Sequence, residues 1–154
     1  MSQAEKKLAE LGLELPVPAK PLAAYVPTVR TGNLVYVSGQ GPSLNGKAQY
    51  IGQVGAERTL EEGQAAARLC ALNALAQIKA EIGDLDKVKR VVKLLGWVSS
   101  APGFAEQPAV MNGASVLLQD VFGEQGKHAR SAVSAHVLPG NITVELELIV
   151  EVAD

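Results

Sequence analysis

Two periods in the placement of apolar residues, 3.6 and 2, divide this 154-residue chain into helices and strands. Ala4, Leu8 and Leu11 recur at helical spacing behind Ser2-x-x-Glu5, a capping-box pattern, and predict a short amphipathic helix at the start of the chain. Four prolines between Pro16 and Pro27 exclude regular helix and predict an extended connector. A turn at Thr31-Gly32-Asn33 and the β-rich run Leu34-Val35-Tyr36-Val37 predict a hairpin over 24–38, ending in Ser38-Gly39-Gln40-Gly41-Pro42. Asn45-Gly46 marks a second turn. Thr59-x-x-Glu62 is another capping box, from which Ala67, Ala71, Ala74, Leu75, Ile78 and Ile82 carry helical spacing to Gly83, a natural stop. Val88 to Ser99 is rich in β-branched residues and reads as a strand; a helix follows over roughly Ala105 to Phe122, closed by Gly123.

The end of the chain alternates with period 2. Arg130, Ala132, Ser134 and His136 share one parity, and Val133, Ala135 and Val137 share the other. After the turn-like cluster Leu138-Pro139-Gly140-Asn141, Val144, Leu146, Leu148, Val150 and Val152 alternate with Glu145, Glu147 and Glu151. These two strands read as a hairpin, with Arg130 and Glu145 on one polar face. Ideal pairing through that turn sets Ser134 opposite Glu145 and leaves Arg130 about four residues, roughly 13 Å, farther along. A bulge, the reach of the arginine or a neighbouring subunit would then have to join the two. The element order defines an α+β fold with a mixed sheet, both long helices on one face and an added N-terminal helix. The other face carries Glu145, Ile149 and Arg130 among small side chains such as Ala132, and part of it is too apolar to face water fully, so a closed homo-oligomer with clefts between subunits is expected.

Composition narrows the function. Nearly half the residues (47%) are apolar, enough for one domain to bury a core without disulfides or metal. A net charge of −2 and 4% aromatic residues supply neither a basic stripe nor stacking platforms, which disfavours nucleic acid. The one cysteine, Cys70, lies in a helical pattern and reads as a buried structural thiol. No apolar run reaches membrane-span length, and the segment Ser2 to Glu10 is charged, so a cytoplasmic location is expected. The two histidines, His128 and His136, stand apart with no cysteine nearby; no metal site is expected, and both read as solvated. Phosphate-binding, nucleophile-elbow and zinc-helix motifs are absent. On residue pattern alone, Arg130 reads as a strand-start cation pairing with Glu147 or Glu151, Tyr25 as an amphipathic strand residue and Ser38 as a strand-end cap.

Read in order, Tyr25, Thr31-Gly32-Asn33-Leu34-Val35-Tyr36-Val37-Ser38-Gly39-Gln40, Ala129-Arg130-Ser131, Leu138-Pro139 and Val144-Glu145-Leu146-Glu147 resemble the Rid (YjgF) family of imine deaminases. The resemblance spans about residues 21–152; it divides the chain into an N-terminal helix and Pro-rich connector, 1–20, and a Rid-like domain, 21–154. It implies a ferredoxin-like, chorismate mutase-like fold, a homotrimer, ligand sites between subunits and no cofactor. Arg130 would clamp the carboxylate of a 2-imino acid, a task suited to a planar guanidinium with parallel donors. Glu145 would hold or activate the attacking water. Tyr25, Ser38 and Gly39 match residues lining the same pocket.

The chain departs from that pattern in several places. Ala132 stands where the deaminases commonly have cysteine, Ala23-Ala24 replaces a usual Gly-Pro, and Gly41 replaces a larger apolar residue. The N-terminal helix and the long Asn45 to Arg58 segment resemble a longer bacterial subgroup. Three functions follow as expectations: hydrolytic deamination of reactive 2-imino or 2-enamino acids; in its place, non-catalytic binding or sensing of small carboxylate metabolites; and, disfavoured by the acidic charge, ribonuclease activity.

Overall fold

In the computed structural model, which describes residues 1–154, the chain runs α1 (Gln3–Glu10), β1 (Thr28–Thr31), β2 (Leu34–Gln40), β3 (Ser43–Leu44), β4 (Lys47–Ala48), α2 (Leu60–Ile82), β5 (Val88–Ser99), α3 (Gln107–Phe122), β6 (Ala129–Ala135) and β7 (Val144–Val152). Both predicted capping boxes close: Ser2 and Thr59 accept from the backbone N–H of Glu5 and Glu62, whose carboxylates accept in return from the cap N–H groups. The first turn of α1 is also held from far away. Asp86 accepts from the N–H groups of Gln3 and Ala4 at 2.9 and 3.1 Å, and Glu5 pairs with Lys79. Leu11, expected on the buried face of this helix, falls just past its end and is exposed. Gly32-Asn33 joins β1 to β2, and Asn45-Gly46, both at positive φ, joins β3 to β4.

The main sheet has the order β1-β2-β7-β5-β6, with β5 and β6 parallel and the other pairs antiparallel. β7 is central. Its Val144, Leu146, Leu148, Val150 and Val152 are all 1% exposed or less, as its alternation predicts, and they face α2 and α3 across the core. The hairpin expected between the last two strands does not form. α3 carries the chain from the end of β5 back to its start, so β6 runs parallel to β5 along its outer edge. β7 then enters the slot between β2 and β5, where both of its edges are hydrogen bonded. The physical reason lies in the side chains: a complete apolar row favours the middle of a sheet, whereas β6, with Val133 as its one large apolar residue, suits an edge. Residues 136–143 cross the end of β5 instead of closing a tight turn.

Helix α2 is buried on every side from Cys70 to Ile78. Its outer surface is covered by the connector and by the β3–β4 hairpin, which reach it through two polar side chains. Gln77 donates to the Ala19 carbonyl, and Asn73 donates to the carbonyls of Gly41 and Ser43. Those two residues thus satisfy themselves inside an apolar helix while anchoring segments that lie outside the main sheet. Against α3 the approach is closest at Gly113, where a Cβ would overlap the backbone carbonyl of Gln64. Gly113→Ala should force the two helices apart and lower stability by about 1–3 kcal/mol in urea unfolding. An unchanged midpoint would mean that this contact does not set the helix spacing.

A candidate site divided between the two faces of the sheet

A bulge shapes the open face. Val37 pairs with Leu148 and Gln40 with Leu146, so Ser38 and Gly39 together oppose Glu147. A Cβ on Gly39 would lie 2.8 Å from Oε2 of Glu145, so the missing side chain is what lets this carboxylate rest on the bulge. On its other side Glu145 is the cross-strand neighbour of Trp97. The Ser38 hydroxyl donates to the Val26 carbonyl at 2.6 Å, and its N–H donates to the Pro27 carbonyl at 2.9 Å. These two bonds pin the connector to the bulge, one residue from half-exposed Tyr25. Ser38, Gly39 and Glu145 therefore meet at the β2–β7 seam, with Tyr25 beside them along the connector.

Glu145 is half-buried, and its carboxylate forms no ion pair. Burial, with the charge of Glu147 as a smaller contribution, holds its pKa above the ordinary carboxylate value. Behind it, Cys70 is fully buried; burial, then Glu145, pushes its thiol well above the usual range, and Sγ donates to the Val144 carbonyl at 3.5 Å. It is the structural thiol that its helical setting suggests.

Arg130 does not share the face of Glu145. In register it lies beside Leu94, and Leu94 beside Leu148, both in the core beneath the helices; Glu145 lies beside Trp97 in the opposite-facing row. The expectation of one polar face fails because it assumed that β6 and β7 pair directly. Nor does Arg130 bridge to Glu147 or Glu151. Its Nη1 donates to Asn112 Oδ1 at 2.9 Å and to Ser115 Oγ at 3.1 Å, both on α3. His128 is not solvated either: Nδ1 meets the Gly126 carbonyl at 2.7 Å and Nε2 meets Ser115 Oγ at 2.9 Å. Burial, which outweighs the Gly126 bond and is joined by the charge of Arg130, holds its pKa below the ordinary value. His136 is exposed.

Trp97, Asn112 and Ser115 carry no sequence motif. The spacing of Asn112 and Ser115 puts them on one helical face, a readable signal, but their partner appears only once β6 is set against α3.

A mixed five-stranded sheet with α2 and α3 over one face and a helical crossover to the edge strand defines an α+β protein of the chorismate mutase-like class. Residues 5–152 match the family described as "YjgF/chorismate mutase-like, putative endoribonuclease", and the chain belongs to that family. It is 50% identical over 145 residues to Protein TCP17 of Trypanosoma cruzi, the match covering 94% of this chain and 91% of that one. Atu1372 of Agrobacterium tumefaciens, a protein of unknown function, is 50% identical with a TM-score of 0.93, over 98% of this chain and 93% of its own. RidA of the Antarctic bacterium Psychrobacter is 26% identical with a TM-score of 0.63, over 88% and 94%. The family resemblance and the fold class read from the sequence are both borne out. No helix is long and apolar enough to cross a membrane.

The raised pKa of Glu145 has a stability consequence. Its carboxyl binds a proton more tightly in the folded than in the unfolded chain, so its stabilising contribution is complete below the unfolded pKa and is lost as pH rises through the folded one. Glu145→Gln should therefore melt above wild type at neutral pH, with the gap closing as pH falls to about 4. An equal or lower melting temperature at neutral pH would mean that the folded chain compensates the carboxylate.

Proposed function

We propose that this protein hydrolyses reactive 2-imino acids and their enamine tautomers to 2-keto acids and ammonia, in clefts between the subunits of a homotrimer. One observation carries the reading: the fold keeps two opposite charges, Glu145 and Arg130, each held in place and neither neutralised. A partly buried carboxylate with a raised pKa suits general acid–base work, and an oriented guanidinium without a carboxylate partner suits an anion.

Because the two residues lie on opposite faces of one sheet, a single chain does not offer both to a small substrate. A neighbouring copy does. The open face carries Tyr36, Leu95, Trp97, Val133 and Ile149, none of them fully buried in the single chain, and this apolar row supports its closure against further copies. Arg130 of one subunit would then face Glu145, Ser38, Gly39 and Tyr25 of the next.

In such a cleft Arg130 binds the substrate carboxylate. Glu145 takes a proton from water as the water oxygen bonds to the imine carbon and delivers it to the nitrogen, which returns the side chain to the carboxylate. The resulting carbinolamine loses its hydroxyl proton through Glu145 to nitrogen, the C–N bond breaks, and ammonia leaves a 2-keto acid. One water is consumed, and no electrons are exchanged, so no cofactor is required. The ribonuclease label of the family fits less well, since Glu145, Glu147 and Glu151 line the open face of a chain with net charge −2 and would repel phosphate.

With imines generated in situ by an amino-acid oxidase, the protein should accelerate keto-acid release. Arg130→Ala should raise KM by roughly 10- to 150-fold, and Glu145→Gln should lower kcat by about 10² to 10⁴. Saturable keto-acid binding without turnover would select the sensor reading instead. Co-expressed Arg130→Ala and Glu145→Gln chains should recover about a quarter of wild-type activity, because randomly mixed trimers rebuild that share of intact clefts. If mixing restores nothing, the two residues do not meet across subunits.

A further inference from the structure

Arg130 is held by two neutral oxygens and by nothing charged, and we propose that Asn112 and Ser115, with His128 behind Ser115, are positioning residues that leave a single edge of this arginine, Nε with Nη2, open to a ligand carboxylate. The inference rests on the reading of Arg130 as a carboxylate clamp, and it adds which atoms of the clamp are free and what holds them so.

Nη1 carries two hydrogens, and Asn112 Oδ1 and Ser115 Oγ accept one each. A carboxylate approaching end-on needs one hydrogen from each terminal nitrogen, and the Nη1 hydrogens are already engaged. The remaining parallel pair is Nε–H with the adjacent Nη2–H, so bidentate capture is confined to the side of the guanidinium.

The direction of the supporting chain is fixed at its far end. The Gly126 carbonyl only accepts, so Nδ1 of His128 carries the proton, and in the neutral ring Nε2 is left as an acceptor. The Ser115 hydroxyl donates to Nε2 and turns a lone pair toward Arg130. Burial favours that neutral ring. Were Nε2 protonated, it would compete for the oxygen that holds the arginine. Ser115 is only 6% exposed, which shields this oxygen from water. The absence of charge matters as much as the geometry. An aspartate at 112 would orient Arg130 equally well but would neutralise it, whereas the amide oxygen orients it and leaves the charge for the ligand.

The test measures 2-oxobutanoate binding to the full chain by titration calorimetry, with imine turnover alongside. Asn112→Asp keeps the acceptor at an exposed position and adds a charge; it should weaken binding at least about tenfold with no fall in melting temperature. Ser115→Ala and His128→Leu should weaken binding about three- to tenfold and act on KM, with kcat within about twofold. His128→Gln, whose amide reaches the place of Nε2, should recover most of the loss. In ¹⁵N spectra the His128 ring should be neutral with its proton on Nδ1; a proton on Nε2 overturns the inference. Binding kept within about twofold by both Asn112→Asp and Ser115→Ala overturns it while leaving the clamp intact. A wild-type protein that takes up no 2-oxobutanoate overturns the clamp reading and this inference together.

Discussion

The apolar row of β7 is kept from water only if helices cover one of its faces, and its backbone is satisfied only if strands flank both of its edges. β2 and β5 both run antiparallel to the central β7 and so parallel to each other, and a chain joining parallel strands needs a crossover, which α2 supplies. The outer edge of β5 is then the open position for β6, reached by the second crossover, α3. Burying one strand thus decides the layer on which both long helices lie. It also moves Arg130 about 10 Å from β7, two strand spacings away.

That displacement gives the two charged residues of the candidate site different surroundings. Glu145 sits against a bulge whose glycine makes room for it and beside Trp97, in a row that a single chain leaves open. Arg130 turns to the helix side, where α3 offers neutral acceptors. Neither environment cancels the charge it holds, which is unusual for half-buried ionisable groups in a structural role. Each half of the candidate site is prepared within one chain, on opposite faces of its sheet.

Much of this could be read from local sequence because the determinants are local. Capping at Ser2 and Thr59, the turns at Gly32-Asn33 and Asn45-Gly46, and the alternation after Val144 each depend on residues within a few positions, and each forms. The partner of β6 was not readable in this way. Short sequence separation favours a hairpin with β7, but the choice is a competition among strands over buried area and edge satisfaction, and α3 tips it toward β5. The shared face expected for Arg130 and Glu145 rests on that neighbour; set beside β5 instead of β7, β6 brings both Arg130 and His128 to Ser115. Helix α2 shows a milder limit, since Asn73 and Gln77 look out of place in its apolar pattern until the segments they anchor are seen.

The attachment of α1 bears on the order of folding. Its first turn is tied to residues 83, 82 and 74 positions away, through Gln3 and Ala4 to Asp86 and through Glu5 to Lys79. An eight-residue helix has little stability alone. During synthesis it emerges before its anchors exist, so it stays uncommitted until α2 and the loop after it have been made. This helix thus precedes its own anchors along the chain, and its place over the finished layer depends on residues made after it.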